Sequence, residues 1–158
     1  MSAAKEQILG IREFEFATTM RVLKAYPEDK LDMRPAEKSR SARELITTLI
    51  GEEYVCGEVM RGEELYAHRG RDWPDSLNEM LELFNQVHNE VQATIANSPD
   101  AELKRVVDFW GHQLRVLDIL WLELHDQIHH RGQFSVYLRL VGARVPSIYG
   151  PTADEPIS

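Results

Sequence analysis

The sequence predicts an all-α fold, a four-helix bundle with long inter-helix connections. Three observations carry this. Apolar residues recur at helical spacing in four long segments. The few glycines and prolines fall mainly between those segments. No segment sustains the strict alternation of a half-buried strand. The chain has 158 residues, 43% of them hydrophobic and 28% charged, which fits one domain over residues 1–158 with a sizeable core.

The first helix is expected from about Ala4 to Ala25. Its stripe reads Ile8, Ile11, Phe14, Ala17 or Thr18, Val22 and Tyr26, and Pro27 closes it. A polar link with Pro35 leads to Ser41-Ala-Arg-Glu44, a capping box that opens the second helix. There Leu45, Leu49, Glu52, Cys56 and Val59 share one face, with Glu52 the odd member, and Gly62 marks the end. The third helix starts at Asp75 or Ser76, with Glu79 three residues after the serine. It carries Leu77, Met80, Leu81, Phe84, Val87, Val91 and Ile95, and stops at "NSPD". Residues 103–113 are the least helical, and Val106, Val107, Phe109 and Trp110 suggest a short extended piece. The fourth helix is expected from about Leu114 to Val141. Its stripe reads Leu117, Trp121, Leu124, Ile128, Gly132, Val136 and Leu140, and Gly142 suits its C-terminal cap. A glycine at 132, inside a helix, suggests close approach of a neighbouring helix.

Composition excludes several function classes. The net charge of −8 and the lack of any sustained basic patch argue against nucleic acid as a partner; "RGRDW" and "KSRSAR" are too short to make one. No apolar run reaches the roughly 20 residues of a membrane span. The start "MSAAKEQILG" does not read as a secretory signal. Cys56, the only cysteine, fits a cytoplasmic location and reads as a small buried residue rather than a nucleophile. No phosphate-cradling glycine loop and no G-x-S-x-G is present.

Chemistry concentrates in "HDQIHHRGQF", residues 125–134, which holds three of the six histidines. His125 and His129 are four residues apart. On a helix their rings stand about 40° apart around the axis and one turn apart along it, so they can grip one ion. They can equally be two hydrogen-bonded histidines beside a core. His130 sits about 100° from His129 and reads as a surface residue or as one that supports the site from behind. Gln133 reads as a hydrogen-bond partner for a ligand ring. His68, His88 and His112 stand apart in sequence.

The segments "ELHDQIHHRGQFSVYLRLVGARVPSIYGPTADE" and "SARELITTLIGEEY", with the helical layout of nearly the whole chain, resemble the DinB-like (DinB/YfiT) superfamily. The resemblance implies a bundle holding a divalent metal, nickel or zinc, on three histidines: one from the second helix and two from the H-x-x-x-H of the last. It also implies homodimers and metal-dependent chemistry of the thiol-transferase, isomerase or hydrolase kind on a small-molecule ligand. His125 and His129 match the last-helix pair. Thr48 stands where the second-helix histidine belongs, so the three-histidine site is incomplete. Three outcomes stay open. Glu52, one turn beyond Thr48, replaces the missing ligand. A loop histidine, His68 or His112, folds in. Or the chain is a non-catalytic descendant that binds a small ligand or dimerises.

Overall fold

The computed structural model describes residues 1–156. Four helices make the body: α1 Ala3–Lys24, α2 Ala42–Arg61, α3 Leu77–Asn97 and α4 Val116–Leu140. Between α3 and α4 lies an antiparallel hairpin, β1 Val106–Phe109 and β2 His112–Arg115, with Phe109 paired to His112. None of the described helices is long and apolar enough to cross a membrane.

The helix starts follow from local chemistry. The Ser41 backbone N–H donates to Glu44 Oε2 at 2.7 Å, and the Glu44 N–H donates to Ser41 Oγ at 3.2 Å. Ser76 and Glu79 repeat the arrangement on α3. Gly62 (φ 67°) and Gly142 (φ 71°) take the left-handed conformation that closes α2 and α4. The apolar stripes read for α2 and α3 are buried throughout.

The packing order is not the chain order. α1 and α2 each pack against both α3 and α4, so the two consecutive helices face each other across the bundle diagonal. The link between them therefore crosses one end of the bundle. Arg12 of α1 spans the diagonal. Its guanidinium donates to Glu53 Oε2 at 2.5 Å and to Cys56 Sγ at 3.2 Å. Cys56 is accordingly a buried core residue, and burial pushes its thiol pKa up.

Three expectations are corrected. Leu114 belongs to β2, because "HQLR" pairs back on "VVDF" before the last helix starts at Val116. In α1, Phe14 points to solvent, while Arg12, Glu15 and Phe16 are buried. In α4 the buried face is Ile119, Leu120, Glu123, Leu124, Gln127, His130, Arg131, Phe134 and Leu138, whereas Val136 and Leu140 are exposed. Four of those nine residues are polar or charged, so apolar spacing pointed to the adjacent stripe.

Gly132 does not admit a neighbouring helix either: it is exposed, and a Cβ built there meets nothing within 4 Å. Gly132→Ala should therefore stabilise the protein by about 0.5–1 kcal/mol, the helix-propensity difference. Thermal or urea unfolding checks this, and a loss of stability would show that the glycine has a packing role.

Candidate metal centre and cleft

Helix α4 turns Asp126 and His130, four residues apart, toward Glu52 on α2. One ligand atom from each of the three lies within 4.8 Å of the others. Glu52 is 6% exposed. As a carboxylate, neither of its oxygens finds a well-aligned hydrogen-bond donor, although His130 Nε2 lies 3.2 Å from Oε1. Burial pushes the Glu52 pKa up to about 10. Asp126 and Glu123 push the same way, and the Arg40 charge opposes them. Without a cation the group holds its proton.

The His130 ring is set for ligation. Its Nδ1–H donates to Gln133 Oε1 at 3.3 Å, which leaves the Nε2 lone pair facing Glu52 and Asp126. That lone pair accepts from Arg40 at 3.3 Å, a contact that a bound ion would displace. Burial lowers the His130 pKa and Asp126 opposes the shift, which favours the neutral imidazole a metal needs. One imidazole and two carboxylates suit a divalent transition ion and leave coordination positions open. The unpartnered Glu52 carboxylate is the gap such a charge fills.

The residues singled out in the sequence are partly brought together. Glu52 stands in the cluster. His130 and Gln133 are there, with His130 as a donor and Gln133 as the group that orients it. His125 is exposed at the cleft mouth, its ring 6.1 Å from Trp121. His129 is also exposed and accepts a 2.7 Å bond from Gln133 Nε2, away from Glu52. The clustered pair is thus the exposed Asp126 and the buried His130, one residue on from the pair read from spacing. Thr48 lines the cleft but donates its hydroxyl to the Glu44 carbonyl at 2.7 Å within its own helix. His68 and His112 line the same cleft but are not among the three clustered donors. His88 is structural: it stacks on Phe16 at 3.8 Å and lies 3.2 Å from Glu53.

Arg131, between His130 and Gly132, is locked in the core. It pairs with Glu15 Oε2 at 2.6 Å and bonds the Thr19 hydroxyl at 3.2 Å. Tyr149 OH donates to the same Glu15 carboxylate at 2.8 Å, which ties the tail to α1. A buried ion pair on the residue next to His130 holds the α4 rotation that aims His130 inward.

The cluster forms the floor of a cleft of about 810 Å³. The link after α2 and the β1–β2 hairpin make its other walls. Glu58 is buried and shapes that link: it accepts from the Tyr66 N–H (2.7 Å), the His68 N–H (3.0 Å) and His68 Nδ1 (2.8 Å). The His68 Nε2 edge lies over Gly51, where an added Cβ would meet it at 3.2 Å, and faces the cleft. Glu123, also lining the cleft, is pushed up to about 7 by burial and by Asp126. The hairpin contributes Trp110, whose ring lies 5.8 Å from that of Tyr66 at an interplanar angle of 23°. Sequence reading missed Asp126, Arg40, and the pairing of His68 with Glu58. Only Asp126 left a local signal, since Asp126 and His130 repeat the four-residue spacing of His125 and His129.

A family model described as the DinB family matches residues 1–157. The chain is 35% identical over 83 residues to Uncharacterized protein YrdA of Bacillus subtilis (strain 168); the match covers 52% of this chain and spans 50% of that relative. Among solved structures, a DinB-like protein from Bacillus cereus superposes with a TM-score of 0.80 at 20% identity, covering 91% of this chain and 97% of that one. YfiT from Bacillus subtilis, described as a probable metal-dependent hydrolase with an unusual four-helix bundle topology, gives 0.67 at 15% identity over 90% of each chain. At these identities the structural likenesses carry the fold.

Proposed function

Because this chain belongs to the DinB family, we propose that it is a metal-dependent enzyme of hydrolase type, with a divalent transition ion held by Glu52, Asp126 and His130. The observation that carries this reading is the buried Glu52 carboxylate, which faces a neutral imidazole and a second carboxylate and has no donor of its own. A divalent ion there supplies Lewis-acid polarisation of an oxygen or sulfur group brought to it.

The chain's own residues do the rest. Gln133 fixes the His130 tautomer. Glu58 takes the His68 Nδ1–H, so His68 Nε2 faces the cleft able to accept or return a proton. Arg40, at the edge of the cluster, stabilises negative charge that develops beside His130. YfiT, a probable metal-dependent hydrolase, supports the hydrolase class. The two-carboxylate donor set admits manganese or iron(II) alongside zinc and nickel.

The test is metal content by elemental analysis, on untagged protein loaded with micromolar zinc, nickel or manganese and then desalted. Near-stoichiometric metal is expected. It should fall by at least about tenfold in Glu52→Gln, Asp126→Ala and His130→Ala, as loss of a ligand requires. His129→Ala should keep its metal. Loss in His129→Ala with retention in His130→Ala would move the ion to the outer pair. No uptake by the parent protein would overturn the enzyme reading and leave a ligand-binding or dimerising bundle.

A further inference from the structure

Two bulky residues of the cleft hold a backbone conformation they disfavour. Among the described residues, Tyr66 (φ 65°) and Trp110 (φ 54°) are the non-glycine positions with positive φ. Both line the cleft, and their rings stack on each other. Trp110 and Gly111 form the two-residue turn of the hairpin, where both central residues need positive φ and asparagine-glycine is the favoured pair. The turn thus carries an indole at backbone cost. The indole does not offset that cost by burial, since Trp110 is 70% exposed. It is nevertheless held firmly: Phe109 stacks at 5.5 Å and Tyr66 at 5.8 Å. Strain retained at a bulky, solvent-facing residue is a mark of function.

Two cations also line the cleft, beside the carboxyl groups of Glu52, Glu123 and Asp126. Arg40 and Arg69 line the cleft, and neither lies within salt-bridge distance of a carboxylate among the described residues. Arg69 covers the Tyr66 ring at 3.9 Å, so its charge sits beside the aromatic stack. Arg40 sits beside His130 on the floor. A flat π-face at the rim and unpaired guanidinium groups below and beside it complement a planar ring with an anionic arm.

We propose that the cleft binds an aromatic carboxylate, its ring stacked on Trp110 and its carboxylate on the Arg40 side of the floor. This deepens the hydrolase reading, from which it takes the direction of the polar arm.

The probe is 2-naphthoate, titrated by calorimetry into metal-free and zinc-loaded protein, with cyclohexanecarboxylate as an anion lacking a flat face. The key variant is Trp110→Asn, which removes the indole and installs the favoured turn pair, so the hairpin is kept. Naphthoate should bind the parent protein and weaken by about tenfold in Trp110→Asn, the scale of one lost stacking contact. Arg40→Gln should weaken it too, and cyclohexanecarboxylate should bind far less well. Equal affinity of Trp110→Asn and parent, or of the flat and non-flat acids, would overturn the proposal. Sedimentation velocity covers the other use of an exposed indole: dimers that dissociate in Trp110→Asn, with naphthoate affinity unchanged, would make Trp110 a contact between copies. Naphthoate binding to protein that takes up no metal would sink the hydrolase reading alone. Metal uptake without naphthoate binding would sink this inference alone.

Discussion

Arg12→Met should lower the free energy of unfolding by about 3–5 kcal/mol, the cost of breaking a buried ion pair by removing one partner. Arg12 and Glu53 are each 1% exposed, so water cannot take over the lost interaction. Burial alone would push the Glu53 carboxyl up. The Arg12 guanidinium, His88 and Gln127 outweigh burial and hold it down to about 2. A carboxyl depressed in the folded state contributes stability that is full above its ordinary value of 4.5 and is lost as pH falls through about 2. The acid limb of the stability curve should therefore flatten in Arg12→Met. Arg12→Met with Glu53→Met should recover much of the loss, because the stranded charge goes too. Urea unfolding between pH 2 and 8 checks this. A single-variant loss under about 1 kcal/mol would mean that Glu53 is satisfied without Arg12.

Glu52→Leu should act in the opposite direction. In metal-free protein at pH 8 it should stabilise by about 1–3 kcal/mol, the penalty of a buried polar group without partners. A carboxyl raised in the folded state makes stability fall as pH rises from 4.5 toward about 10, and the leucine should remove that slope. The same variant should lose its metal. Stability gained as metal is lost is the signature of a residue kept for its chemistry. An unchanged or lower unfolding free energy in metal-free Glu52→Leu would show that the carboxyl is satisfied as it stands.

The legible and the illegible parts of this chain differ in one physical respect. Helices α2 and α3 bury almost continuous apolar stripes, so spacing alone located Leu45, Leu49 and Cys56, or Met80, Phe84 and Val87. Glu52 stood out because it interrupts such a stripe. Helix α4 buries Glu123, Gln127, His130 and Arg131 in the same stretch, and the partners that make this tolerable, Glu53, Glu52 and Glu15, lie far off in sequence. Hydrophobic periodicity has no access to such partners, so it chose the neighbouring stripe, while His125 and His129 came from their four-residue spacing and the family resemblance. The extended character of Val106 to Phe109 was readable from residue type. The returning strand was not, because His112 to Arg115 carries no β-branched residue.

The diagonal placement of α1 and α2 bears on how the bundle comes together. A helix that packs on its immediate successor closes a short loop, but α1 waits for α3 and α4 before either of its seams can form. Glu52 on one side and Asp126 with His130 on the other sit on the α2–α4 seam, which joins elements separated by a whole helix and a hairpin. Contacts of such long sequence separation form late, after most of the closure entropy has been lost. An ion on this seam would act as a stitch across the last join, and its binding free energy would count toward the fold as a whole.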